Sequence, residues 1–283
     1  MTELRARMIP DMTLRRFSPR THGAYLSHLV ALVRHYHRAP DQISAEEVRQ
    51  YLAHLLQEKK LSWSTSNQAA CAFRFFYHTT LGRPAAEFVV PMARTPQRLP
   101  EILSRAEVLR ILHAPRSPKH RLLLATVYAC GLRVSEAVRL LVKDIDSERM
   151  TLRVEQGKGG KDRYLPLSER LLEEMRQYWR EHPPGEWLWA GDPGRTPAPM
   201  HISTAQKVYG FAKQLAGVRK KGGIHALRHA FATHLLEAGV DVHTVQRLLG
   251  HRFITSTIRY FHLSRTRLAA TRSPYDLPDP SQS

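Results

Sequence analysis

Cysteine is almost absent from this 283-residue chain: only Cys71 and Cys130 occur, each alone inside an apolar run. A disulfide framework and a thiolate metal cluster are thereby excluded, and a reducing compartment fits. Acidic residues are scarce too, 25 Asp and Glu against 43 Lys and Arg, which leaves a formal charge of +18. On a chain that is 42% hydrophobic, and so able to fold, this basic excess makes a polyanion the natural partner. No stretch reaches the ~18 uninterrupted apolar residues that span a bilayer. The opening MTELRARMIP also lacks the continuous apolar segment of a secretory signal. A soluble, cytoplasmic protein with no membrane contact is the expectation.

Internal repeats are missing, and the only biased tract is a polar tail at 278–283. Helical punctuation is plentiful. Ser18 before Pro19 reads as an N-cap with a first-turn proline, and Leu26, Leu29, Val30, Val33 and Tyr36 then recur at helical spacing until Pro40. Ser44 with Glu47 makes a capping box ahead of Val48, Tyr51, Leu52, Leu55 and Leu56. A third apolar stretch, 69–77, stops before Gly82 and Pro84. Residues 1–90 therefore read as a small helical bundle. Prolines at 91, 96 and 100, with Arg94, Gln97 and Arg98, give 91–101 the character of a basic, solvated linker.

In the second domain, 102–283, Ser104 and Glu107 repeat the capping box. An apolar helix at 122–130 is halted by Gly131, and a new helix begins around Arg133. The alternation in MTLRVEQ, 150–156, resumes in RYLPL, 163–167, across a glycine-rich turn, which predicts a β-hairpin with a basic tip. Helical patterns return from Ser168, with one short strand at 187–190. The expected fold is mainly α, with a small antiparallel β-sheet in the C-terminal domain.

Four clusters carry possible chemistry. His225 and His229 stand at i and i+4, a spacing that offers two imidazoles to one ion. The zinc-hydrolase pattern needs a glutamate where Ala226 stands, no third ligand is evident, and metal binding is not expected. GLRVSE, 131–136, pairs Arg133 with Glu136. Alone this is a surface ion pair worth under ~1 kcal/mol, or else a carboxylate that orients a guanidinium to grip a phosphate through two bonds. GKGGKDRYLPL, 157–167, lacks the spacing of a nucleotide-binding loop; its Lys158 and Lys161 make either an ordinary solvated turn or a mobile proton donor. In LLGHRFITSTIRYFH, 248–262, His251 follows a helix-ending Gly250 and Tyr260 comes nine positions later. A tyrosine in such a pattern is more often core than nucleophile.

Taken in order, Arg133 in G-L-R-x-S-E, Lys158 in a G-K-G hairpin, His225 and Arg228 in H-x-x-R, Gly250-His251, and then Tyr260 resemble the tyrosine recombinase (phage integrase) family. The likeness is to its compact Xer-like members and runs from about Ser18 past Tyr260. The N-terminal bundle is similar to the family's SAM-like core-binding domain. The resemblance implies that Arg133, Lys158, His225, Arg228, His251 and Tyr260 occupy catalytic positions. In that scheme the arginines neutralise the non-bridging phosphate oxygens and Tyr260 attacks phosphorus. His225 serves as base, Lys158 (or Lys161, in another hairpin register) protonates the departing 5′ oxygen, and His251 bonds a phosphate oxygen. It further implies a 3′-phosphotyrosyl intermediate, exchange through a Holliday junction, and no metal, nucleotide or other cofactor. The implied partners are double-stranded DNA and further copies of the chain, as a synaptic tetramer on DNA and compatibly a monomer away from it. Two other classes stay open. A DNA-binding regulator would use the helix, turn and helix within 233–260, and a tyrosine-type topoisomerase would share the covalent step without exchanging strands.

Overall fold

The computed structural model describes residues 2–92, 100–155, 162–183, 185–191 and 198–261, and the chain divides into two units, Met1–Arg98 and Leu99–Ser283. In the first unit, helices α1 (Thr2–Leu14), α2 (Pro19–Tyr36), α3 (Ala45–Gln57) and α4 (Trp63–Arg74) form a bundle, and α4 runs on into a π-helical turn at Phe75–Thr80. The local signals act as their chemistry dictates. Ser18 Oγ accepts the Thr21 N–H at 3.2 Å, and Ser44 and Glu47 exchange bonds in both directions, 3.2 and 2.9 Å. Each such cap satisfies helix-end donors and contributes about 1 kcal/mol. Leu32, Val48, Phe73, Phe76 and Tyr77 lie in the core, where the Tyr77 hydroxyl donates to the Pro40 carbonyl at 2.7 Å.

Two features depart from the sequence pattern. Helix α1 is unannounced, because Pro10 lies inside it and its apolar stripe narrows to Met8 and Met12, one turn apart and both fully buried; packing rather than propensity holds it. Helix α4 starts earlier than the apolar stretch suggests, because Ser62 caps it, its Oγ accepting the Thr65 N–H.

The second unit opens with α5 (Arg105–His113), under the Ser104–Glu107 capping box, then α6 (Pro118–Ala129) and the single-turn α7 (Val134–Ala137). Strands β1 (Ile145–Asp146), β2 (Thr151–Val154) and β3 (Arg163–Pro166) make an antiparallel sheet in that order, with Leu152 opposite Leu165 and Val154 opposite Arg163. The hairpin tip, with Lys158 and Lys161, lies outside the described residues, as does the tail at 278–283. Helices α8 (Glu169–Glu181), α9 (Ile202–Leu215), α10 (His225–Glu237), α11 (Val242–Leu249) and α12 (Thr255–Phe261) complete the unit. No strand forms at 187–190. Trp187 and Ala190 make isolated bridges to Leu141 and Pro199, while the consecutive residues Leu188 and Trp189 both enter the core, which strand alternation forbids.

Mainly helical architecture with a small antiparallel sheet is thus what the chain adopts. Helix α10 occupies the middle of the second unit: Leu227, Arg228, Ala230, Phe231, Ala232, Thr233, His234 and Leu236 are all buried, so it is enclosed on nearly every face. Residues at its N-terminal end are consequently held by packing from several directions. Among the described residues, no helix is long and apolar enough to cross a membrane.

Candidate active site

Gly131 ends α6 in the left-handed region, φ +58°, and a Cβ there would lie 2.3 Å from the Phe231 ring, so only glycine fits. The turn aims the Gly131 carbonyl at Arg228, whose Nη1 donates to it at 2.6 Å; Arg228 Nη2 donates to the Leu249 carbonyl, at the end of α11, at 2.5 Å. Both acceptors lie at C-terminal helix ends, where partial negative charge favours a cation. Only 4% of Arg228 is exposed. Two residues after Gly131, Arg133 is the N-cap of α7 rather than part of its first turn, because Glu136 reaches back to accept its N–H at 2.9 Å. Arg133 Nη1 donates to Glu136 Oε1 at 2.6 Å and Nη2 to the Gly250 carbonyl at 3.3 Å.

Glu136 is the centre of this cluster. Arg163, on β3, grips it through two bonds of 3.0 and 2.7 Å and also donates to the Leu248 carbonyl at 2.9 Å, while Arg228 Nη1 stands 3.8 Å away. Burial alone would raise the Glu136 carboxyl, but the bonds and charge of Arg163, then those of Arg133, outweigh it and hold the group at about 2. Three guanidiniums against one carboxylate leave a surplus of two positive charges. Burying charge costs several kcal/mol per ion unless it is matched, so a pocket of this composition is stabilised by an incoming anion. A phosphate diester offers that charge with two oxygens in the geometry of the guanidinium fork.

Three imidazoles and a phenol surround the arginines. His225 heads α10 with much of its surface exposed, and is lowered by partial desolvation, then by the charges of Arg228 and Arg133. His251, just beyond the Gly250 turn (φ +61°), bonds Thr257 Oγ1 through Nδ1 at 2.9 Å. It is held at about 4 by burial and then by Arg228, Arg133 and Arg163. Tyr260 is buried on α12 with its hydroxyl 2.8 Å from His229 Nδ1, and its ring lies nearly parallel to that of His251, 16° apart at 6.2 Å. His229 is lowered to about 4 by burial, then by His225 and Arg228. The Tyr260 phenol is among the groups whose charge acts on Arg228.

The structure therefore gathers Arg133, His225, Arg228, His251 and Tyr260 in one region of the second unit, while Lys158 falls outside the described residues. Arg163 and the His229 contact escape a reading of the motifs. Arg163 had a signal, since it shares the core face of β3 with Leu165, and an arginine on a core face requires a buried partner. His229 had its helix position alone. Among the described residues, no three His, Cys, Asp or Glu side chains come together as a set able to hold a metal ion.

Acid should loosen this pocket. His229 and His251, at about 4 instead of 6.5, are neutral in the fold and protonate more readily when it opens, so stability is complete above 6.5 and lost as pH falls toward 4. Glu136, at about 2 instead of 4.5, contributes stability above 4.5 that is lost toward pH 2. Each of these displacements corresponds to roughly 3 kcal/mol at its limit. The melting midpoint followed by circular dichroism should drop by roughly 10 °C between pH 7 and pH 4.5, with His229 and His251 the largest contributors. A flat profile would contradict their half-buried, neutral state.

Known proteins resemble this chain over most of its length. Residues 101–267 match the Phage integrase family, and residues 4–87 match the Phage integrase, N-terminal SAM-like domain. A Sinorhizobium fredii protein with the provisional name integrase/recombinase y4qK is 46% identical over 280 residues, covering 98% of this chain and 90% of its own. The tyrosine recombinase XerA of Thermococcus kodakarensis is 34% identical over 231 residues, 81% of this chain and 80% of its own. The solved Tn1549 transposon integrase, in complex with circular intermediate DNA, shares the fold at a TM-score of 0.72, covering 95% of this chain and 99% of its own at 19% identity. These likenesses do not favour the regulator or the topoisomerase. With two thirds or more of its length shared with tyrosine recombinases above 30% identity, the chain belongs to the phage integrase family.

Proposed function

We propose that this chain is a site-specific DNA recombinase that cuts and rejoins strands through Tyr260, with Arg133, Lys158, His225, Arg228 and His251 around the scissile phosphate. The observation that carries it is the cluster of three arginines, Arg228 buried and Arg133 and Arg163 half-buried, with two surplus positive charges beside a tyrosine of the same chain. As Tyr260 Oη bonds to phosphorus, negative charge builds on the non-bridging oxygens, and donors already fixed by Glu136 and by helix-end carbonyls meet it without rearranging. Arg228 spends two of its five N–H groups on carbonyls, which leaves three to face an anion.

The phenol proton, directed at His229 Nδ1 in the DNA-free chain, passes during attack to His225, which is lowered and so neutral at neutral pH. The P–O5′ bond breaks, and Lys158 supplies the proton that the 5′ oxygen takes up. One phosphodiester is replaced by another, so bond energy is conserved and a second 5′ hydroxyl can reverse the step on a new strand without ATP. Two such rounds pass through a Holliday junction. The partners are double-stranded DNA and three further copies of the chain in the synaptic assembly, within the cytoplasm. The charge of +18 supports tight, salt-sensitive binding, because each neutralised phosphate releases counterions.

Genomic fragments retained by the protein at moderate salt supply the DNA site. A suicide substrate of that site, nicked so that the short 5′-hydroxyl fragment diffuses away, should trap the chain on a DNA 3′ end in a detergent-resistant complex. On two-site DNA, exchanged strands are the expected product, whereas relaxed circles without exchange would favour a topoisomerase. Absence of any trapped species on every retained fragment contradicts the proposal.

A further inference from the structure

We propose that His229 is a positioning residue for the nucleophile: its Nδ1 accepts the hydrogen bond of the Tyr260 hydroxyl and so directs the phenolic oxygen's lone pairs toward the arginine pocket. The inference rests on Tyr260 as nucleophile and adds a residue outside the six that the motifs supply. The contact is 2.8 Å, with the two rings 5.5 Å apart and tilted by 44°.

His229 directly follows Arg228 on the enclosed helix α10, so the element that fixes the phosphate-facing guanidinium also fixes the direction of the phenol. Tyr260 belongs to a cluster with Phe231, Ala232, Val245 and Leu249, and the half-buried imidazole beside it loses part of its hydration, which its bond to the hydroxyl makes good. A leucine would fill that space more favourably, so the polar group has a use beyond packing. The use is not removal of the proton. Burial, then the charges of His225 and Arg228, hold His229 at about 4, so it stays neutral and free to accept the hydroxyl's bond at neutral pH while being a weaker base than an ordinary imidazole. The bond joins α10 and α12 of one chain, so each protomer aims its own tyrosine.

The test uses the full chain with His229→Leu, His229→Asn and Tyr260→Phe. Asparagine places an amide oxygen near the position of Nδ1; leucine fills the space without an acceptor. At saturating suicide substrate, His229→Leu should cleave roughly 100-fold more slowly, the scale expected when a reacting atom is misplaced by about 1 Å. His229→Asn should recover most of that loss, and both should bind DNA with the parent's affinity and melt within a few degrees of it.

Cleavage by His229→Leu at the parent rate, or a folded His229→Asn as slow as the leucine variant, overturns the inference. If only the leucine variant fails to fold, the rate of His229→Asn decides alone; if neither folds, His229 is a determinant of the fold and the inference fails. Tyr260→Phe separates the two levels: trapping by that variant removes Tyr260 as nucleophile, whereas a silent Tyr260→Phe beside an unimpaired His229→Leu removes only the role assigned to His229.

Discussion

Tyr260→Phe should trap no DNA at all while binding it as the parent does. The substitution deletes one oxygen, and in the proposed chemistry that oxygen is the atom that bonds to phosphorus, so no amount of residual transition-state stabilisation can produce the covalent complex. The surroundings predict that the fold survives. The ring sits in a cluster with Phe231, Ala232, Val245 and Leu249, which a phenylalanine fills equally well. What is lost is the bond to His229 Nδ1, leaving a half-buried acceptor at a cost of about 1 kcal/mol. The variant should therefore melt a few degrees lower, retain DNA in a gel-shift at unchanged protein concentration, and show no detergent-resistant band. A band of parental intensity would exclude Tyr260.

Arg228→Lys should slow cleavage on the order of 10³-fold, comparable to deleting an oxyanion donor outright, although charge is conserved. The guanidinium spans carbonyls on two different helix ends and keeps further N–H donors in its plane. An ammonium is a point charge with three donors and cannot reproduce that span. It will bond to one carbonyl, leaving the other without its donor, or face the phosphate and leave both. DNA affinity, distributed over many phosphate contacts, should change less than about tenfold. Single-turnover cleavage at saturating substrate, set against an equilibrium binding curve, separates the two effects. Cleavage within tenfold of the parent would show that net charge suffices at position 228.

Local chemistry was legible in the sequence wherever a feature closes within a few residues. Ser18, Ser44 and Ser104 cap helices because donor and acceptor are three positions apart, and Gly131 and Gly250 end helices because no other residue takes a left-handed turn so readily. Helix α1 was not legible, since its stripe is two methionines around a proline, and neither was the failure of 187–190 to form a strand, which is decided by the burial of Leu188 and Trp189 together. In the site, five motifs in order marked the region. They could not show that Glu136 binds two arginines at once, nor that the tyrosine hydroxyl meets His229 rather than His225. Arg163 lies 27 positions from Glu136, and Tyr260 lies 31 from His229; the hairpin and the α10–α12 packing create those neighbours.

The anchoring of Arg228 to the Gly131 and Leu249 carbonyls has an evolutionary corollary. A main-chain oxygen is specified by no codon, so no exchange of one amino acid for another can erase these acceptors; it can only tilt the peptide that carries them. Side chains elsewhere can thus change while the hold on this guanidinium stays constant. Randomised libraries selected for lost activity should return lesions at uncharged corners such as 131 and 250, and not solely at ionisable positions.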